Sequence, residues 1–80
     1  MLSKLQSPNK VIGLKQSRKA IKEGLASTVF LARDAEERVT EPIIQLCHEQ
    51  GVEIVYADTM HALGEVCGIE VGAAVAVVLK

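Results

Sequence analysis

Residues Ser27 to Ala32 read STVFLA, a compact β-branched and apolar run of the kind found in a strand covered on both faces. Such a strand needs one layer of helix above it and another below. The flanking segments supply those layers. Upstream, Lys10 to Gly13 predicts a short first strand, followed by a basic helix over about Lys15 to Glu23 that stops at Gly24, a residue suited to the left-handed cap. Downstream, Arg33 to Arg38 is polar and turn-like, and Thr40 is placed to cap a helix with Glu41 and Pro42 in its first turn. Ile43, Leu46, Cys47 and Gln50 keep helical spacing until Gly51. Val52 to Tyr56 predicts a third strand. Asp58 or Thr59 then caps a last helix in which Met60, Leu63, Val66 and Cys67 share a face before Gly68, and Ala74 to Leu79 is a final apolar strand. Residues 2–7 predict a short helical turn with Leu2 and Leu5 at spacing three, ending near Pro8. The expected architecture is a three-layer α/β/α sandwich around a four-stranded mixed sheet, formed as one domain over residues 1–80.

With 49% hydrophobic residues and a mean hydropathy of +0.24, the chain is composed like a folded globule rather than a disordered tail. The opening MLSKLQSPNK has no continuous apolar core of a secretory signal. The closing run from Ile69 to Leu79 is too short to span a bilayer and contains Glu70 and Gly72. A cytoplasmic protein with no membrane role is expected. In that setting Cys47 and Cys67, at helical positions among apolar residues, predict reduced core side chains. With His48 and His61 they contain no CxxC or HxxxH pair to anchor a metal, so no metal or other cofactor is expected. No P-loop, GxGxxG, GxSxG or HExxH occurs, and His61 with Glu65 reads as a surface pair without a nucleophile. These absences weigh against an enzyme.

The net charge of −1 conceals an asymmetry. Residues 1–33 hold seven bases against Glu23 alone, a net of plus six, whereas residues 34–80 hold nine acids against Arg38 and Lys80, a net of minus seven. The bases concentrate in VIGLKQSRKAIK, Val11 to Lys22. At about 100° per residue Lys15, Arg18, Lys19 and Lys22 share one sector, while Leu14, Ser17, Ile21 and Leu25 share a neighbouring, mostly apolar one. Such a helix buries one flank and shows a cationic stripe. A turn at Gly13 leading straight into it would also leave the first N–H groups facing an anion. Taken by itself, this stretch favours an ordinary solvated helix face, and the rest of the chain has to decide. If the partner is nucleic acid, two aromatics, Phe30 and Tyr56, are too few for base-stacking platforms, and neither an RNP pattern, a GxxG loop nor a helix-turn-helix is present. What remains is structured RNA held by charge, helix-terminus amides and shape. The segment GIEVGA, Gly68 to Ala73, either folds Ile69 and Val71 back on the core or exposes them as an apolar tip, which would be a contact surface.

GLKQSRKAIKEG, then an apolar strand ending in AxDA, and later ALGEVCGIEVGAAV, resemble the L-seven-Ae ribosomal protein family, most closely its short bacterial YbxF-like members. The resemblance runs from about Val11 to the C-terminus with the elements in the same order. It implies a non-catalytic protein that binds and stabilises a kink-turn, an RNA helix bent sharply beside tandem sheared G·A pairs, on the ribosome or in a riboswitch-type RNA. The family's glycine falls on Gly13, its base-contacting asparagine position on Lys15, its following glutamate on Gln16 and its lysine on Lys19. Lys15 and Gln16 depart from the archaeal pattern; chemically, lysine suits guanine O6 and N7, and glutamine can donate and accept at a base edge. Lys19 and Lys22 would face phosphates. Glu36 matches a family acid that accepts from a guanine amino group. The family's second RNA loop falls on Gly68 to Gly72, implying that Ile69 and Val71 pack on an extruded nucleotide. Family members often carry a base where this chain has Met60 and His61, which puts a phosphate contact there in doubt. The implied RNA-facing residues are thus Gly13, Leu14, Lys15, Gln16, Arg18, Lys19 and Lys22 at the first corner, Glu36, and Ile69, Glu70 and Val71 in the loop. Nothing marks an oligomer interface, and a monomer is expected. The alternative is a protein–protein scaffold of the same fold with residual RNA affinity.

Overall fold

The structure is a computed structural model and describes residues 9–80; the helical turn expected over residues 2–7 lies outside the described residues. Its elements run β1 (Lys10–Ile12), α1 (Leu14–Lys22), β2 (Ala26–Ala32), α2 (Glu37–Gln50), β3 (Glu53–Ala57), α3 (Met60–Cys67) and β4 (Val75–Leu79). The strands form one mixed sheet in the order β1-β4-β2-β3, with β2 and β3 parallel and β4 antiparallel to both of its neighbours. It follows that β1, β2 and β3 run the same way. Their C-terminal ends, the starts of all three helices and the loop entering β4 therefore gather at one end of the sheet.

Alternation along β2 divides the core between the two faces. Val29 and Leu31, with Val75 and Val77 of β4, meet Ile21 of α1 and Ile43 and Cys47 of α2. Phe30 and Ala32, with Ala57 and Ala76, meet Leu63 and Cys67 of α3. Two helices thus cover one face and a single short helix the other. The double coverage read from STVFLA holds from Thr28 onward. The β2–β4 register slips between Ala26 and Thr28, which throws Ser27 into solvent.

Two expectations are corrected. α2 begins at Glu37, with Glu36 as its N-cap, rather than at a Thr40 cap. The amides of Val39 and Thr40 both donate to the Glu36 carbonyl, and the Thr40 hydroxyl turns back on the Glu37 carbonyl at 3.4 Å. Pro42 is therefore inside the helix, where it costs one backbone bond. The buried flank of α1 is Ser17, Ala20 and Ile21, while Leu14 and Leu25 remain 39% and 48% exposed. Leu14 is the first helical residue and overhangs the sheet end. Leu25 follows Gly24, after the chain has left the helix.

Candidate nucleic-acid interface

At the first corner, Gly13 links β1 to α1 with φ 106° and ψ 155°, a conformation confined in practice to glycine. Its amide donates to the Val75 carbonyl at 3.0 Å, and its own carbonyl accepts from Ser17 N at 3.0 Å. Among the described residues no side chain caps α1, and no acid lies in its first turn. The amides of Leu14, Lys15 and Gln16 are thus outside the intrahelical ladder and carry the positive end of the helix dipole. Beside them, Lys15, Gln16, Arg18, Lys19, Lys22 and Glu23 line an open groove of about 650 Å³. The four bases lie on the solvent side, opposite the Ser17, Ala20 and Ile21 flank. Lys19 and Lys22 also occupy the last turn, where cations favour any helix.

Glu36 caps α2 through its backbone alone, and its exposed carboxylate is paired with Arg38 Nε at 2.8 Å. That partner was not anticipated from the sequence. At such exposure the pair contributes little to stability, and the carboxylate is free to exchange partners.

The segment from α3 to β4 is built by packing. Thr59 Oγ1 accepts from Ala62 N at 2.9 Å, and Met60 N donates to Asp34 Oδ1 at 2.7 Å. At the far end Gly68 is left-handed, with Gly68 N donating to the Glu65 carbonyl and Ile69 N to the Gly64 carbonyl. That bond pair is the Schellman ending, in which the residue after the glycine turns inward onto the helix. Ile69 accordingly is half-buried against the Phe30 and Leu63 cluster. The expectation that Ile69 shares an exposed tip with Val71 is corrected: Val71 alone forms it, at 71% exposure, with exposed Glu70 beside it. The loop is clamped from below. A side chain on Gly64 would collide with the Val71 carbonyl, and one on Gly72 would meet Met60 at 3.1 to 3.3 Å. Ala73 N donates to the Met60 carbonyl at 3.0 Å.

Because β1 and β4 are neighbours, the Gly13 corner and the loop into β4 lie side by side at the same sheet end, and the Glu36 turn follows β2 there. The structure therefore gathers the three sequence-predicted segments on one surface. Sequence reasoning missed Asp34, Gly64 and Arg38. Asp34 stood inside the AxDA signature but read as a turn residue, and Gly64 looked like an ordinary helical position.

Cys47 and Cys67 are buried and free; burial pushes the Cys47 thiol up to about 11 and raises that of Cys67, where the Lys10 charge partly opposes it. Neither thiol is a nucleophile at neutral pH. Among the described residues no cluster of three or more His, Cys, Asp or Glu could hold a metal ion, and no helix is long and apolar enough to cross a membrane.

Comparison with known proteins agrees with this layout. The model of the ribosomal protein L7Ae/L30e/S12e/Gadd45 family matches residues 1–80. The chain belongs to that family. It is 49% identical over 69 residues to an RNA-binding protein of Caldanaerobacter subterraneus subsp. tengcongensis, covering 86% of this chain and 84% of that one. It is 40% identical over 76 residues to the RNA-binding protein YbxF of Geobacillus stearothermophilus, covering 95% and 93%. Among solved structures, the Giardia lamblia 15.5kD RNA binding protein superposes with a TM-score of 0.88 at 27% identity, over 99% of this chain and 68% of that one.

Proposed function

We propose that this protein is a non-catalytic RNA-binding protein that recognises the kink-turn, in ribosomal or riboswitch-type RNA, and stabilises its bent form. The observation that carries the reading is the uncapped start of α1, flanked by Lys15, Arg18, Lys19 and Lys22, standing next to the Val71 tip at one end of the sheet. A bent RNA presents phosphates, base edges and an extruded nucleotide close together, and this surface offers a partner for each. The names of the bacterial relatives and of the Giardia structure support RNA as the ligand.

In this mechanism the amides after Gly13, with Leu14 beside them, approach the widened groove while Lys15 and Gln16 address guanine edges. Arg18, Lys19 and Lys22 neutralise phosphates, giving affinity without sequence information. Glu36 exchanges Arg38 for a guanine amino group. Val71 covers the face of the extruded nucleotide, with Glu70 and the half-buried Ile69 setting the loop around it. Tighter binding to the bent form shifts the RNA equilibrium by the difference in affinity.

The test is a titration of end-labelled kink-turn RNA followed by energy transfer, beside the same helix with its G·A pairs made Watson–Crick. Approach of the ends only in the intact RNA is the expected result; no approach in either overturns the reading. Lys15→Ala should cost about 1 to 3 kcal/mol on the intact RNA only, whereas Lys22→Ala should weaken both RNAs and lower the salt slope by about one.

A further inference from the structure

The Glu36 turn and the Val71 loop are more than 30 residues apart in sequence. One carboxylate joins them. We infer that Asp34 is a positioning residue that fixes the Val71 loop relative to the Glu36 turn by holding the first amide of α3. The inference rests on the RNA-binding reading and assigns Asp34 no contact with RNA.

The connections form a closed circuit. Asp34 Oδ1 accepts from Met60 N at 2.7 Å; the Met60 carbonyl accepts from Ala73 N at 3.0 Å; the Ala74 carbonyl accepts from Ala32 N at 3.0 Å, two residues before Asp34. Arg33 N donates to the Ala57 carbonyl at 2.8 Å, so the backbone entering this turn is tied both to β3 and to the residue before β4. Gly72 lies against Met60 and Gly64 beneath Val71, so the loop cannot shift toward α3. A carboxylate suits this place because it accepts a charge-assisted bond and faces the positive end of the helix. The second capping acceptor, Thr59 Oγ1, takes Ala62 N. The start of α3 is thereby committed to internal partners, while the start of α1 has no side-chain cap.

A merely structural Asp34 would lower stability and affinity together; a positioning Asp34 lowers affinity beyond what its stability loss explains. In the full chain, Asp34→Ala removes the acceptor. Met60→Pro removes the donor at the first helical position, where proline is tolerated and the preceding Thr59 is already extended. Met60→Ala keeps the amide and serves as control. Two readouts are taken: affinity for kink-turn RNA, and hydrogen exchange at Ala73 N relative to Val29 N in the free protein. Asp34→Ala and Met60→Pro should each weaken binding about tenfold and speed Ala73 exchange about tenfold, as loss of a bond to a charged group implies. The double variant should be no worse than the more damaged single one. Asp34→Asn should recover part of the loss. The inference is overturned if Ala73 exchange is unchanged, if the two losses multiply, or if Ile43→Val with an equal drop in melting temperature weakens binding as much. Should the unaltered protein fail to bind kink-turn RNA, the functional reading falls, and the exchange measurement still decides whether Asp34 holds the loop.

Discussion

At Gly13, chain neighbours aside, none of the described residues stands within 4 Å of where a side chain would begin, yet the backbone is at φ 106°. At Gly64 the backbone is ordinary helix, and a side chain would run into the Val71 carbonyl. Both glycines serve the same end of the sheet for opposite reasons. The first corner is defined by chain conformation and is open around it. The second is defined by exclusion of space, and its shape is set by what lies underneath. An accessible edge and a clamped tip are two ways of making a surface from backbone.

The comparison breaks most visibly at Gly64. Gly64→Ala should cost about 3 kcal/mol in denaturant unfolding and release the loop, since carbonyl and helix backbone must part. A cost smaller than that at Gly13 would mean the tip is not clamped. Gly13→Ala should cost about 2 kcal/mol, from the strained conformation alone, with no change in hydrogen exchange around Val71. Next comes the contrast between a capped and an uncapped helix: Thr59→Ala should lower stability by about 1 kcal/mol through loss of the bond to Ala62 N. The smallest effect is expected below the first corner. Ser17 is fully buried, and its hydroxyl has no hydrogen-bond partner among the described residues. Ser17→Ala should leave the unfolding free energy unchanged or raise it, by up to about 1 kcal/mol; a clear loss would reveal a hidden partner for the hydroxyl.

The order of elements was legible because each strand is an apolar run and each helix keeps its period. The cationic corner was legible for a related reason: charge and Gly13 are properties of consecutive residues. Reading failed where two signals competed. Thr40, Glu41 and Pro42 look like a helix start, but the turn before them folds onto Glu36 and continues the helix through the proline. Ile69, in a glycine-flanked loop, could be read as folded back or exposed, and the resemblance favoured exposure, while Gly68 closes the Schellman ending that turns it inward. Asp34 and Gly64 act on residues 26 and 7 positions away, through contacts that leave no local pattern.

Strand order carries a consequence for biosynthesis. β4, the last of the described strands in chain order, lies between β1 and β2, and Gly13 N bonds to Val75 at its start. Among the described strands β1 has no neighbour but β4, so it cannot pair into the sheet until Val75 to Leu79 have left the ribosome. The Gly13 turn is thus completed only when that strand is in place, because its bond to Val75 spans most of the described chain. A nascent chain that already carries Lys15, Arg18, Lys19 and Lys22 does not yet hold them beside a paired β1 and the loop into β4.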